Sequence, residues 1–420
     1  MNLNQNARII STYSADTFGV CSALFELGGM IVMHDPSGCN STYTTHDEPR
    51  WYDFDSLIFI SALTEQDAVL GRDDKFIKDV VASALQFKPQ FICIIPSQIT
   101  FLIGTDMAAL AKIIERKTGI TCFTLPTNSM HYYERGIYYA LEWLAKYAIS
   151  RSEKKIYNID KPKVNILGLT PLDFGAKDTI NALKKFLVNS NLYPLSCWAM
   201  GETLDSIINS IHANVNLVIS YGGLGAARIM ERELGIPYVV GVPLGNMQAK
   251  ISSALKKSAE DKKSRISYLA DEPLDILPSA MTAGTIDNPD HAQYISSNSH
   301  ADIILIGESI FAETLSKAIT IATNYSVQVI SPVETEKDLL SADTLQLTDE
   351  KDLLPIFTTA KLIIADPLYK PLLNYMTAPA PKFIDLPHEG FSGRLYAKNI
   401  PNLIDLAAFN QFIERLKNAY

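Results

Sequence analysis

Short, unbroken apolar runs recur along this chain, and they constrain its fold more than any other feature. Leu57-Ile58-Phe59-Ile60-Ser61-Ala62, Phe91-Ile92-Cys93-Ile94-Ile95, Val164-Asn165-Ile166-Leu167-Gly168-Leu169, Leu217-Val218-Ile219-Ser220 and Asp302-Ile303-Ile304-Leu305-Ile306-Gly307 have strand length. They lack the polar alternation of a strand with one wet face, so they read as strands buried on both sides. Apolar residues at helical spacing lie between them, as from Asp74 to Phe87. Strand, helix and strand in series imply parallel pairing through right-handed crossovers.

Two changes of composition divide the series. Ser150 to Lys163 is charged and poor in aromatics, and Ala270 to His300 turns to Pro, Ser, Asn and Asp. The fold class expected is therefore α/β, with three Rossmann-like open parallel-sheet domains in series: 1–155, 160–285 and 300–420. Thr105 is the expected N-cap of a helix ending near Gly119, and an amphipathic helix is expected from Leu403 to Leu416. In open parallel sheets ligands sit beyond the carboxyl ends of the strands, so function is expected in the loops there.

With 420 residues, 47% of them hydrophobic, the chain can bury large cores. A formal net charge of −9 argues against nucleic acid or an anionic membrane as main partner, because both reward clustered Lys and Arg. Met1 to Ile10 has no apolar core region, so neither a secretory signal nor a membrane span is expected there. The five cysteines, Cys21, Cys39, Cys93, Cys122 and Cys197, form no Cys-x-x-Cys pair. That fits a reducing compartment, and a cytoplasmic location is expected. No P-loop occurs, so no ATP site is expected in this chain. Gly222-Gly223-Leu224-Gly225 is read as a tight strand-to-helix turn.

Met33-His34-Asp35-Pro36-Ser37-Gly38-Cys39 places one cysteine on a turn just after an apolar run. Pro36 presets φ, Gly38 permits φ above zero, and together they let backbone approach a ligand at Cys39. Leu63-Thr64-Glu65-Gln66-Asp67-Ala68-Val69-Leu70-Gly71 and Phe101-Leu102-Ile103-Gly104-Thr105-Asp106 follow. This order resembles the nitrogenase component 1 family, which includes molybdenum-iron protein subunits, cofactor-assembly scaffolds and light-independent protochlorophyllide reductase subunits. More loosely, the resemblance extends to Tyr221-Gly222-Gly223, Arg232 to Pro237 and Pro387 to Gly393.

The resemblance implies an iron–sulfur cluster of the 4Fe-4S kind, shared between subunits, with Cys39 as the metal ligand. It also places two other cluster-cysteine positions at Ser14 and Gln98, so one cysteine of three remains. Any cluster would need fewer thiolates, a partner's ligands, or oxygen ligands such as Asp35 or Asp16. Residue chemistry alone favours reading Cys39 as a buried, inert cysteine on a turn, and the resemblance reverses that preference. His34 is a candidate donor to a cluster or a hydrogen bond to a neighbouring carbonyl, and Cys21, Cys93 and Cys122 read as core. His388 lies near where the molybdenum-iron subunit supplies a cofactor histidine, but it reads better as a loop or pocket residue.

Two functions stay open. One is a subunit of a nitrogenase-like oxidoreductase that accepts electrons from an ATP-dependent iron protein. The other is a non-catalytic scaffold for a metallocofactor, or a paralogue that has lost its cluster. The partners implied are a second component 1-like subunit, as homodimer or heterodimer, and a transient iron protein.

Overall fold

The computed structural model describes residues 9–10, 13–38, 40, 48–151, 159–175, 178–269, 301–347, 349–376 and 379–420. Its strands form three sheets, each parallel throughout. The first has the order β2-β1-β3-β4, from β1 (Met30–His34), β2 (Leu57–Ile60), β3 (Ile92–Pro96) and β4 (Cys122–Thr124). The second, β6-β5-β7-β8-β9, is built from β5 (Lys163–Leu167), β6 (Tyr193–Cys197), β7 (Val215–Val218), β8 (Tyr238–Val240) and β9 (Arg265–Ile266). The third, β12-β11-β10-β13-β14, uses β10 (Ile303–Ile306), β11 (Val327–Ser331), β12 (Leu345–Gln346), β13 (Leu362–Ala365) and β14 (Lys382–Asp385). The α/β class expected from the apolar runs is the class observed.

The period of two along a strand explains why those runs are continuous. Ile31, Met33, Cys93 and Ile95 turn to one face and join the main core, while Met30, Val32, Ile92 and Ile94 turn to the other, under Phe76, Val80, Leu110 and Ile114. Both faces are covered by helices, so neither requires polar residues.

One long helix, Tyr133–Arg151, is the post against which the other parts lean. It crosses the first helix, Asp16–Leu24, at two facing glycines. A Cβ on Gly19 would sit 1.9 Å from the Tyr133 carbonyl oxygen, and one on Gly136 would sit 1.8 Å from the Asp16 oxygen. The same helix packs on the Tyr221–Gly223 turn and the helix Leu224–Leu234 of the second sheet unit. There a Cβ on Gly222 would lie 2.4 Å from Ile137 Cγ2, and one on Gly223 2.6 Å from the Leu167 carbonyl. Close packing is what those glycines are for.

Several local expectations need correction. Asp106, not Thr105, caps the helix Met107–Thr118, because its carboxylate accepts the Ala109 N–H at 2.9 Å. The last helix runs Leu406–Ala419, since Asp405 accepts the N–H groups of Ala407 and Ala408 and starts it there. Gly38 does not adopt a positive φ, and a Cβ there would meet nothing within 4 Å. Cys39 and residues 270–300 lie outside the described residues.

The helix crossing makes a direct prediction. Gly136→Ala forces a methyl group onto a backbone carbonyl that cannot step aside, so it should cost about 3 kcal/mol. Denaturant unfolding of that variant beside Gly38→Ala tests this: Gly38→Ala should match the wild type.

Candidate functional site

The carboxyl ends of β1 and β3 open into a pocket of ≈ 470 Å³. Its walls are Tyr13, Ser14, Ala15 and Phe18 from the entry to the first helix, Asp35 and Asn40 after β1, Ser97, Gln98 and Ile99 after β3, Ser129, and Phe391 to Gly393 from the third unit. Ser14 is held from both sides: its N–H donates to the Gly390 carbonyl at 2.8 Å, and its own carbonyl accepts the Tyr133 N–H at 2.9 Å. Gln98 opens the short helix Gln98–Leu102, which Ser97 caps. Thr100 Oγ1 anchors that helix to the His34 carbonyl at 2.9 Å.

Three of the residues that the sequence nominated therefore share one pocket: Ser14, Asp35 and Gln98. Asp35 is fully buried; one oxygen accepts Asn40 Nδ2 at 2.7 Å, and the other has no partner among the described residues. Ser129 Oγ is likewise buried without a partner among the described residues. Buried polar atoms left unpaired cost free energy, so such a set normally has an occupant or a covering surface. Asn40, Ser97 and Ser129 carry no motif, and only their place beyond a strand end would have nominated them.

The remaining candidates among the described residues lie elsewhere. His34 turns away, with Nδ1 sharing a 2.7 Å hydrogen bond with Ser61 Oγ and its ring stacked on Phe76 at 4.1 Å. Burial lowers its pKa to about 4, so it is a neutral core histidine. Asp16, although buried and pushed up to about 6 by that burial, spends its oxygens on the Asn128 and Ser129 N–H groups at 2.9 and 2.8 Å. His388 stands behind Phe391, stacked on it at 4.2 Å, with Nε2 3.3 Å from Asp173 Oδ1. It lines a separate small cavity of ≈ 30 Å³ with Asp173, Phe174, Phe311 and Asn402, room for a water or two.

Whether these residues fit an iron–sulfur cluster is decided by donor chemistry. Such clusters are held by thiolates. Cys21, Cys93, Cys122 and Cys197 are buried away from the pocket, and burial pushes all four thiols up, Cys122 and Cys197 to about 12. The described pocket wall supplies hydroxyl, carboxamide and one carboxylate. With Cys39 the only further thiol, the chain's own residues do not make a full thiolate set.

Three parallel sheets, with a polar pocket at strand ends of the first, define an α/β class of protein. Solved structures share it: nitrogenase Cp1 at pH 6.5 superposes with a TM-score of 0.63 over 98% of this chain and 93% of that one, at 13% identity. The family described as nitrogenase component 1 type oxidoreductase matches residues 17–267, and this chain belongs to it. A light-independent protochlorophyllide reductase subunit from Prosthecochloris aestuarii is 26% identical over 218 residues, 51% of this chain and 39% of that protein. The nitrogenase iron-molybdenum cofactor biosynthesis protein NifE from Clostridium pasteurianum is 25% identical over 254 residues, 57% of this chain and 53% of that protein. The matched stretch is thus well short of the full length of either relative. Among the described residues no helix is long and apolar enough to cross a membrane.

The pKa of His34 falls on folding, so its stabilising effect is complete above its unfolded value near 6.5 and is lost as pH falls through about 4. Across that window wild type should lose about 3 kcal/mol from this group. His34→Gln should flatten the acid limb of the stability curve, measured by denaturant titration at stepped pH.

Proposed function

We propose that this chain is one subunit of a nitrogenase-like oxidoreductase, seated against a second component 1-type subunit with the Ser14–Asp35–Gln98 pocket at the join. The observation that carries this reading is the rim of the pocket. The helix that begins with Gln98 and Ile99 in the pocket wall continues into Phe101, Leu102 and Ile103, which are 49%, 66% and 50% exposed. Large apolar side chains grouped beside buried unpaired polar atoms suit a covering protein surface. In this reading the partner completes the pocket, and an ATP-hydrolysing iron protein docks transiently to supply electrons. The redox group is then assembled with the partner's ligands, because this chain's described residues supply too few.

A second reading is favoured by the donor set itself. Hydroxyl, amide and carboxylate walls suit a scaffold that holds a metallocofactor or its precursor for another protein without turnover.

Anaerobic purification with iron and sulfide analysis, followed by binding of the cognate iron protein in a trapped nucleotide state, separates the two. The oxidoreductase reading expects a reducible cluster in the assembled complex and nucleotide-dependent binding. An assembled, iron-free complex that ignores the iron protein rejects it. Leu102→Glu should weaken subunit assembly at least tenfold while leaving thermal unfolding of the isolated chain unchanged. Light scattering that finds the same assembly in wild type and variant would move the interface elsewhere.

A further inference from the structure

Three buried carboxyl groups, one from each sheet unit, lie at the contacts between the units. Glu134 comes from the long helix, Asp173 from the turn of helix Pro171–Phe174 beyond β5, and Glu308 from the end of β10. All are buried, at 0%, 6% and 0% exposure. Glu308 accepts the Tyr221 N–H at 3.0 Å and the Phe311 N–H at 2.9 Å. Asp173 Oδ1 accepts the Tyr133 hydroxyl at 2.6 Å and faces His388 Nε2 at 3.3 Å. Neither oxygen of Glu134 has a hydrogen-bond partner among the described residues, and no lysine or arginine among them pairs with any of the three.

Buried anions that feel one another's charge repel, and an unpaired one forfeits its hydration, so binding a proton is the least costly way to satisfy them. His388 offers a positive charge to one carboxylate at most. We infer that Glu134 and Glu308 form a buried proton-binding site at the three-unit junction, beside the hydrogen-bonded Tyr133, Asp173 and His388 on the wall of the small cavity. The inference does not depend on the cluster or the partner proposed above.

Burial, followed by Asp173 and Glu308, holds the Glu134 carboxyl well above the ordinary range, and burial with Asp173 pushes Glu308 up to about 7. The other titratable groups that face the pair are Tyr133 on the same helix, Tyr13 and Tyr132 near Glu134, and Tyr268 after β9. His388, with the buried Glu389 beside it, approaches through Asp173. None of these tyrosines brings a compensating charge, because burial also pushes each of them up. The unusual chemistry is a carboxyl that keeps its proton at a pH where exposed glutamates have lost theirs.

Infrared spectroscopy of the full chain reads that proton directly. The expected result is a protonated-carboxyl stretch at neutral pH that shifts in D₂O, fades as pH rises, and is lost or halved in Glu134→Gln and in Glu308→Gln. Absence of the band in wild type at neutral pH overturns the proposal, as does a band that both substitutions leave unchanged. If a variant does not fold, the wild-type band and its titration still decide. Because both pKa values are raised by folding, the associated stability is full on the acid side and is lost as pH rises through about 7. Wild type should therefore melt at lower temperature in mild alkali, and Glu134→Gln should melt with less pH dependence. Equal pH dependence of the two proteins would count against the site.

Discussion

The contact on which the rest of this molecule depends is the crossing of the Asp16–Leu24 and Tyr133–Arg151 helices at Gly19 and Gly136. Without side chains at those positions, each helix backbone sits directly on the other. This close approach has consequences at both functional regions. It carries Tyr13, Ser14 and Ala15 to the pocket mouth, where Ser14 bridges Gly390 and Tyr133 by backbone hydrogen bonds. It also drives Tyr133 and Glu134 into the junction with Asp173 and Glu308. A methyl group at either glycine would separate two sites that lie far apart in sequence but lean on one post.

Around that post the molecule uses polar burial in two different ways. Arg50 is enclosed by Glu48, Glu26, the Ser22 carbonyl and the Ala199 carbonyl, at 2.7 to 3.1 Å, so its charge is fully answered and it ties the first unit to the second. Arg228 answers Glu336 with both guanidinium nitrogens and ties the second unit to the third. The pocket and the carboxyl junction are the opposite case, since Asp35, Ser129 and Glu134 retain unpaired buried atoms among the described residues. At the Arg50 and Arg228 pairs the charge is answered; at the pocket and the junction the unpaired atoms are those for which a partner surface and a proton are proposed.

Membership of the nitrogenase component 1 type family and the donor set of this chain pull in different directions. The fold is the family's. The side chains at the positions of Ser14 and Gln98 are hard oxygen and amide groups, unsuited to replace thiolates on iron. The proposed assembly with a second subunit would reconcile the two, because a shared site needs only part of its ligands from each chain.

Much of the architecture was legible beforehand because doubly buried parallel strands demand unbroken apolar runs, and Leu57 to Ile60, Ile92 to Ile95 and Ile303 to Ile306 supply them. Helix ends were less legible: Asp106 and Asp405 compete with neighbouring residues as caps, and only local hydrogen-bond geometry chooses among them. Ser14, Asp35 and Gln98 were nominated through a resemblance of motifs, and residue chemistry alone would not have joined them. His34, adjacent to Asp35, had equal claim on paper, but side chains alternate along a strand, so its ring turns to Ser61 and Phe76. Glu134, Asp173 and Glu308 carried no signal, since each is a single acidic residue far in sequence from the other two. The sequence by itself determined the class, the three sheets and the strand ends at which a site would form, because those follow from local periodicity. Which side chains meet there was decided only by tertiary structure, because that depends on a helix crossing at two glycines more than a hundred residues apart.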